Sequence, residues 1–359
     1  MENLKARSVS EQVAAHLRDG IRQGWWKESM PGRDRLAAEL GVSPWSIQRG
    51  LDILEHEGLL VPQGDKRRRR IVMPEDEIEA RKINFAILPY EAEDRHINYL
   101  VDLRHRLLEM GHLAGFASQS LKGMRMNVKR VAGFVEKNPA DAWVVVAGSR
   151  GVLEWFATQS VPTFALFGRH MRVGLAGASP NKGPALEKIV RRLVELGHRR
   201  IVMLTREERR KPEPGFSERR FFEELEAHGI EPGPFNLPEW EENVDGFHDL
   251  LDRLFRYTPP TALLISEAPL FIAARDHLAR RGILAPEDVS LICHDSDIGF
   301  AWSQPAISHI RWDSAPLVRR VVKWADNIAR GKDDRRVSTF KATFVEGGMI
   351  GLAKTDSRL

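Results

Sequence analysis

One stretch, Met30 to Leu60 (MPGRDRLAAELGVSPWSIQRGLDILEHEGLL), constrains the fold more than any other. Leu36, Ala37 and Leu40 share one face of a short helix over Arg33 to Leu40, and Gly41 can take the positive φ that ends it. Gly41-Val42 is then a tight turn. Ser43 suits an N-cap and Pro44 the first helical position, where a missing N–H costs nothing; Ile47, Leu51 and Leu54 follow at the spacing of a buried stripe. With that stripe turned inward, Trp45, Ser46, Gln48, Arg49 and Asp52 are expected to face outward. The spacing predicts a helix-turn-helix, whose second helix places its first turns in a DNA major groove.

The next segment, Leu59 to Val72, reads as two short strands, Leu59 to Val61 and Arg70 to Val72, with Gly64-Asp65-Lys66 as the turn. Five consecutive cations, Lys66, Arg67, Arg68, Arg69 and Arg70, fall at the tip and on the returning strand. A charge run alone is usually a solvated face; directly after a helix-turn-helix it reads as a wing that contacts phosphates or a narrow minor groove. Gln48 and Arg49 are the expected base readers, because amide and guanidinium groups bond bidentately to purine edges. Trp45 and Ser46 would sit on or near phosphates. Ser43, with Arg33 and Arg35 on the preceding helix, completes the candidate DNA-contacting set.

These residues resemble the winged helix of GntR-type bacterial repressors. The resemblance covers about the first seventy-five residues: a leading helix with Val13, Leu17 and Ile21, then Met30-Pro31, Leu36-Ala37, Gly41-Val42-Ser43, Ile47, Leu51, Leu54 and Glu57-Gly58-Leu59. The chain departs from the family at the reading positions, with Gly32-Arg33-Asp34 where Ser-Glu-Arg is common and Gln48 where arginine is common. The family's operator therefore does not carry over.

The chain has 359 residues, enough for two or three domains, and its 42% hydrophobic and 29% charged content is that of a folded globular protein. Net charge is +4, of which +3 falls in Met1 to Pro74. Placement of the cations thus matters more than their sum. One cysteine, Cys293, excludes an internal disulfide and a multi-cysteine zinc site and suits a reducing cytoplasm. The N-terminus has no signal-peptide core and no apolar run approaches a membrane span, so a cytoplasmic location without membrane association is expected.

Residues 1–74 are expected to form the DNA-binding domain (α+β) and 75–82 a charged linker. Beyond it, short apolar runs alternate with helical periodicity. Strands are predicted at Ile83 to Leu88, His112 to Ala117, Ala142 to Ala147, Val161 to Leu166, Ile201 to Leu204, Thr261 to Ile265 and Val289 to Cys293. Helices are predicted at Ile97 to Met110, Asn127 to Lys137, from the glycine-rich junction Gly174 to Gly183 onward to Leu196, around Phe221 to Leu225, and at Val244 to Phe255 and Phe271 to Arg281. The alternation implies a two-lobed α/β domain with mostly parallel sheets, and such sheets bind ligands beyond the carboxyl ends of their strands.

This portion resembles the effector-binding domain of the LacI/GalR repressors, itself similar to type 1 periplasmic sugar-binding proteins. The marks are Glu195-Leu196-Gly197-His198-Arg199-Arg200-Ile201, Arg281-Gly282-Ile283 with Pro286-Glu287-Asp288-Val289-Ser290, and the closing run to Gly351. The resemblance implies an effector-binding and dimerisation domain over 83–352, with lobe 1 at about 83–170 and 309–330 and lobe 2 at about 175–296 and 338–352. The chain would cross between lobes near Gly168 to Gly174, Ser296 to Ser308 and Arg330 to Thr339. For the pocket, the family's aspartate matches Asp295. Its Asn-Asp pair is Glu267-Ala268 here, and its Arg-x-x-Gly motif falls at Ser217 to Arg220, leaving Arg219 or Arg220 to supply the cation. Tyr90, His96 and Tyr99 lie where a strand-to-helix loop of lobe 1 would face the cleft.

No catalytic constellation is present. Gly148-Ser149-Arg150-Gly151 is not a nucleophile elbow, Gly177 to Gly183 is not a phosphate-binding loop, and the twelve histidines lack paired zinc spacing. Neither an enzyme nor a cofactor or metal is expected. The expectation is a bacterial transcriptional regulator, in the repressor mode, whose partners are operator DNA, a sugar-like effector and a second copy of itself. The alternatives are a cytoplasmic small-molecule-binding protein and a regulator whose sensor no longer binds ligand.

Overall fold

A computed structural model describes residues 8–22, 25–26, 28–64, 68–72 and 80–354. The chain forms two compact units, one of Met1–Lys82 with Ala329–Lys332 and one of Ile83–Ile328 with Asp333–Leu359.

The first unit holds α1 (Val9–Arg22), α2 (Arg33–Leu40), α3 (Pro44–His56), β1 (Leu60–Val61) and β2 (Arg70–Ile71). Gly41 takes φ 65° and returns its N–H to the Ala37 carbonyl, ending α2, while the Ser43 side chain accepts from the Ser46 N–H and Pro44 opens α3. The turn is therefore built from the residues that the spacing singled out. Ile47, Leu51 and Leu54 of α3 are buried with Val13, Leu17 and Ile21 of α1 and Leu36 of α2 in one core. Gly50 permits a close approach, since a β-carbon there would lie 2.6 Å from Val13 Cγ1 and 3.3 Å from the Ala14 backbone nitrogen. β1 and β2 pair antiparallel, Leu60 opposite Ile71 and Val61 opposite Arg70, and Ser29 forms a further antiparallel bridge to Arg70. That third stretch, ahead of α2, had no apolar signature of its own.

The second unit is built on β3 (Asn84–Leu88), α4 (Asn98–Glu109), β4 (Leu113–Phe116), α5 (Val128–Lys137), β5 (Ala142–Val146), α6 (Arg150–Ala157), β6 (Thr163–Leu166) and β7 (Ala176–Asn181). It continues with α7 (Gly183–Glu195), β8 (Ile201–Leu204), α8 (Glu207–Arg210), α9 (Phe216–Ala227), α10 (Val244–Tyr257), β9 (Ala262–Ile265), α11 (Ala268–Ala279) and β10 (Ser290–Cys293). β11 (Ser308–Trp312), α12 (Ala315–Ala329) and β12 (Val337–Val345) close it. The strands order as β4-β3-β5-β6-β7-β12-β11-β10-β9-β8, all pairings parallel except β11 with β12. The fully apolar runs AWVVV, IVML and ALLI are buried on both faces, as helix-covered parallel strands must be.

The sheet has two halves joined by β12, whose residues 337–341 pair with β7 and 342–345 with β11. Cores on the two faces of the second half centre on Phe247, Leu251 and Phe271, and on Leu186, Ile189 and Phe221. In the first half one face buries Phe134, Trp143 and Phe156, and on the other Trp324 of α12 packs on Phe85 and Phe164. The glycine-rich junction from Gly174 to Gly183 corrects the sequence reading. It contains β7, which pairs with β6 and β12 and extends the first half, so the chain passes to the second half only after Asn181. Its residues Ala176-Gly177-Ala178-Ser179 are too small to give an apolar-run signal. Gly177 must stay small, because a β-carbon there would lie 2.6 Å from the His170 ring. Among the described residues no helix is long and apolar enough to cross a membrane.

Candidate functional site

In the first unit, the face of α3 away from the core carries Trp45, Gln48, Arg49 and Asp52. Trp45 is 65% exposed, which is anomalous for a large aromatic unless it has something to touch. The Arg49 guanidinium lies 4.9 Å from its ring centre, a cation–π pair that limits where the cation can point. Gln48 donates to Asp52 Oδ1 at 2.7 Å, one turn along the helix. Ser46 departs from the expected outward face. It is 9% exposed, its N–H donates to Ser43 Oγ at 3.1 Å and its hydroxyl lies 2.9 Å from the same oxygen, so capping draws it inward.

The basic residues divide by their partners. Arg33 bonds Asp34, and Arg35 bonds Glu39, both pairs exposed. Arg69 is half-buried and ion-paired to Glu55 of α3, which ties the returning strand to that helix. Arg68 and Arg70 are exposed. Lys66 and Arg67 lie outside the described residues.

In the second unit the polar side chains gather at the carboxyl ends of strands from both halves. Arg206 follows β8 and its side chain is 12% exposed. It donates from Nε to both Glu267 oxygens at 3.0 and 3.2 Å and from Nη2 at 2.9 Å, while Nη1 lies 3.0 Å from Glu91 and 3.7 Å from Glu242. Burial pulls its pKa down, but the Glu267 carboxylate and then Glu91 outweigh this and push it above the usual arginine value. Glu91, in the loop after β3, also bonds Lys122. Beside it the Tyr90 hydroxyl donates to Glu208 at 3.1 Å, and its ring stands 5.8 Å from the Arg206 guanidinium. Burial, then Glu208, raise the Tyr90 pKa; burial likewise raises the Glu242 and Asp94 carboxyls.

A second cluster adjoins Asp295, which accepts from Trp312 Nε1 at 2.6 Å and lies 3.3 Å from Lys182 Nζ. Tyr99, Phe167 and Trp312 form an edge-packed trio with ring centres 5.6 to 5.8 Å apart. Phe167 holds φ 61°, a conformation disfavoured for a bulky side chain and kept here by packing around it. Under the cluster His294 is fully buried with neither ring nitrogen bonded, and burial holds its pKa well below the ordinary value.

Tyr90 and Glu267 thus meet through Arg206, and Tyr99 and Asp295 through Trp312. His96 is exposed at the end of a 3-10 turn. Arg219 donates to the Pro214 carbonyl, and Arg220 is engaged by Glu187, Glu223 and Glu224 on α7 and α9, so these contacts tie neither to the two clusters. The central cation Arg206 escaped the sequence reading, because a lone arginine after a strand has no spacing to mark it. A separate open depression of about 1010 Å³ lies beside α10, lined by residues such as Glu239, Trp240, Asp245 and Asp249. Its acidic, open lining is unlike the enclosed apolar sites that bind small molecules. Among the described residues no group of three or more His, Cys, Asp or Glu could hold a metal.

A family model described as a periplasmic binding protein-like domain matches residues 190–348. No curated protein matches the chain. Among solved structures, a LacI family transcriptional regulator from Enterococcus faecium with bound ribose aligns with TM-score 0.60 at 15% identity, covering 76% of this chain and 100% of that one. The transcriptional regulator CelR in complex with cellobiose aligns with TM-score 0.61 at 15% identity, covering 89% and 100%. A LacI-type regulator from Bifidobacterium animalis subsp. lactis aligns with TM-score 0.59 at 21% identity, covering 75% and 99%. With the strand order above, these likenesses give the second unit the periplasmic-binding-protein-like α/β fold.

Proposed function

We propose that this protein is a bacterial transcriptional regulator, acting as a repressor, in which a GntR-type winged helix-turn-helix reads operator DNA and a two-lobed sensor adjusts that binding. The observation that carries the reading is the outer face of α3. Arg49 and Trp45 stand exposed over a fully buried stripe of Ile47, Leu51 and Leu54, behind the three-residue turn Gly41 to Ser43 and ahead of an antiparallel hairpin. In this arrangement Arg49 reads a guanine edge, with the Trp45 ring fixing its direction, and Gln48 contacts a base after leaving Asp52. Arg68 and Arg70, with Lys66 and Arg67, supply phosphate affinity without sequence preference. In the same reading Arg33, Arg35 and Ser43 complete the DNA-contacting set.

The sensor's ligand is a small sugar-like molecule in this reading, supported by the ribose and cellobiose bound to regulators of similar fold. A palindromic operator requires a two-fold dimer, formed through the sensor units in the cytoplasm. The chain is not an enzyme in this account. A second reading, a regulator whose sensor has lost its ligand, draws support from the carboxyl-end clusters, where Arg206 is held by Glu267 and Glu91, and Asp295 by Trp312 and Lys182. Gel shift with the DNA upstream of the protein's own gene tests the proposal. A shifted band resisting random competitor is expected; equal competition by any duplex refutes specific regulation. A thermal-shift panel of sugars and nucleosides separates the two readings of the sensor.

A further inference from the structure

In two-lobed binding proteins the contacts that draw the lobes together ordinarily come from a ligand. Here side chains of the chain itself span the halves. Arg206 belongs to the second half, following β8, and its fork is divided: Nε and Nη2 hold Glu267 of the same half, while Nη1 reaches Glu91 of the first half at 3.0 Å. Arg169, in the first-half loop after β6, reaches the other way. Its Nε donates to the Glu208 carbonyl at 2.9 Å and its Nη2 to the carbonyls of Lys211 and Glu213 at 3.0 and 2.5 Å. Tyr90 adds its bond to Glu208. Two arginines, one from each half, therefore cross the boundary in opposite directions.

We propose that Arg206 is a built-in clasp, a tethered cation that closes the sensor by bridging Glu91 to Glu267 and Glu242, so that the regulatory event is its release. The clasp stands on these contacts alone; its effect on DNA rests on the regulator reading above. Charge accounting makes Arg206 decisive. Three carboxylates, Glu91, Glu242 and Glu267, pair with it, while Glu208 is held by Tyr90 and Lys122 is the other cation in contact through Glu91. Removing the guanidinium leaves Glu91 of one half facing Glu242 and Glu267 of the other, and attraction across the boundary becomes repulsion. A lysine keeps the charge but not the fork that satisfies carboxylates of both halves together.

The test is a distance across the halves in the full-length protein. Cys293 is buried, so nitroxide labels can be directed to Glu136→Cys on α5 and Glu226→Cys on α9, both exposed positions remote from the clasp. Labelled chain is diluted into unlabelled protein so that each distance is within one chain. The parent should give one narrow distribution, Arg206→Met a longer and broader one, and Arg206→Lys an intermediate. Glu91→Gln, which leaves Arg206 and the second half intact, should also lengthen it, and this variant decides the matter if Arg206→Met does not fold. Distributions identical to the parent in the folded variants overturn the clasp. Operator affinity of the same variants is read separately: about a tenfold change is expected, within the usual range of allosteric coupling. Opened halves with unchanged affinity leave the clasp standing and remove its regulatory role.

Discussion

Gly50→Ala sets two effects of opposite sign against each other on the helix that presents the proposed reading face. In isolation the change favours α3 by about 0.5–1 kcal/mol, because alanine loses less backbone entropy in a helix. In place, the new β-carbon would lie 2.6 Å from Val13 Cγ1, 3.2 Å from Val13 Cβ and 3.3 Å from the Ala14 nitrogen. Rotating Val13 relieves only the first of these. The Ala14 backbone cannot yield unless α1 moves away from α3, and forced overpacking of this kind costs about 1–3 kcal/mol. A net loss of about 1–2 kcal/mol follows, read as roughly 5–30-fold faster hydrogen exchange of the α1 and α3 amides in the full-length protein. Val13→Ala in the same background should return part of the protection, a non-additivity expected of side chains in contact. Unchanged or increased protection in Gly50→Ala would refute the close packing of α1 on α3.

The buried pair of Arg320 and Asp334 offers a second test. Nη2 lies 2.8 Å and Nη1 3.1 Å from the carboxylate, with both side chains under a tenth exposed. Arg320→Met should cost about 3–5 kcal/mol by calorimetry, with partial recovery on adding Asp334→Asn, whereas a loss below about 1 kcal/mol would mark the pair as no better than a surface one. Burial also lowers the pKa values of His112, His170, His198 and His294. Each binds its proton less readily in the folded unit than in the unfolded chain, which protonates below about pH 6.5, so stability should fall as pH drops from 7 toward 5, by at most about 1.4 kcal/mol per pH unit for each imidazole. The raised carboxyls of Asp94 and Glu242 bind protons more readily in the folded state and oppose this at the acid end. A melting temperature that is flat or rises on acidification contradicts the assignment.

What the sequence made legible follows from how local each signal is. The turn between α2 and α3 could be read to the residue, because Gly41, Ser43 and Pro44 each act on the backbone beside them. Strands such as Ile201–Leu204 were visible because burial on both faces demands an unbroken apolar run. β7 was missed since its small residues pack by closeness rather than by apolar bulk, and the Ser29 bridge because a single backbone pairing leaves no pattern. Ser46 was misplaced by a helical wheel that ignores the cap pulling it inward. At the carboxyl ends of the strands, Tyr90 and Tyr99 were reachable from their place in a strand-to-helix loop, and Glu267 and Asp295 only through the family resemblance. Arg206 and Arg169 were not, since their partners are far along the chain and only the folded sheet brings them together.

The central claim is that the outer face of α3 reads base sequence, and selecting bound duplexes from a random pool with the parent, Arg49→Ala and Trp45→Ala measures it directly. The account predicts one enriched palindromic motif for the parent, loss of preference at a single base pair per half-site for Arg49→Ala, and weakening at that same pair for Trp45→Ala. An identical motif from all three proteins, or none from the parent, would contradict it.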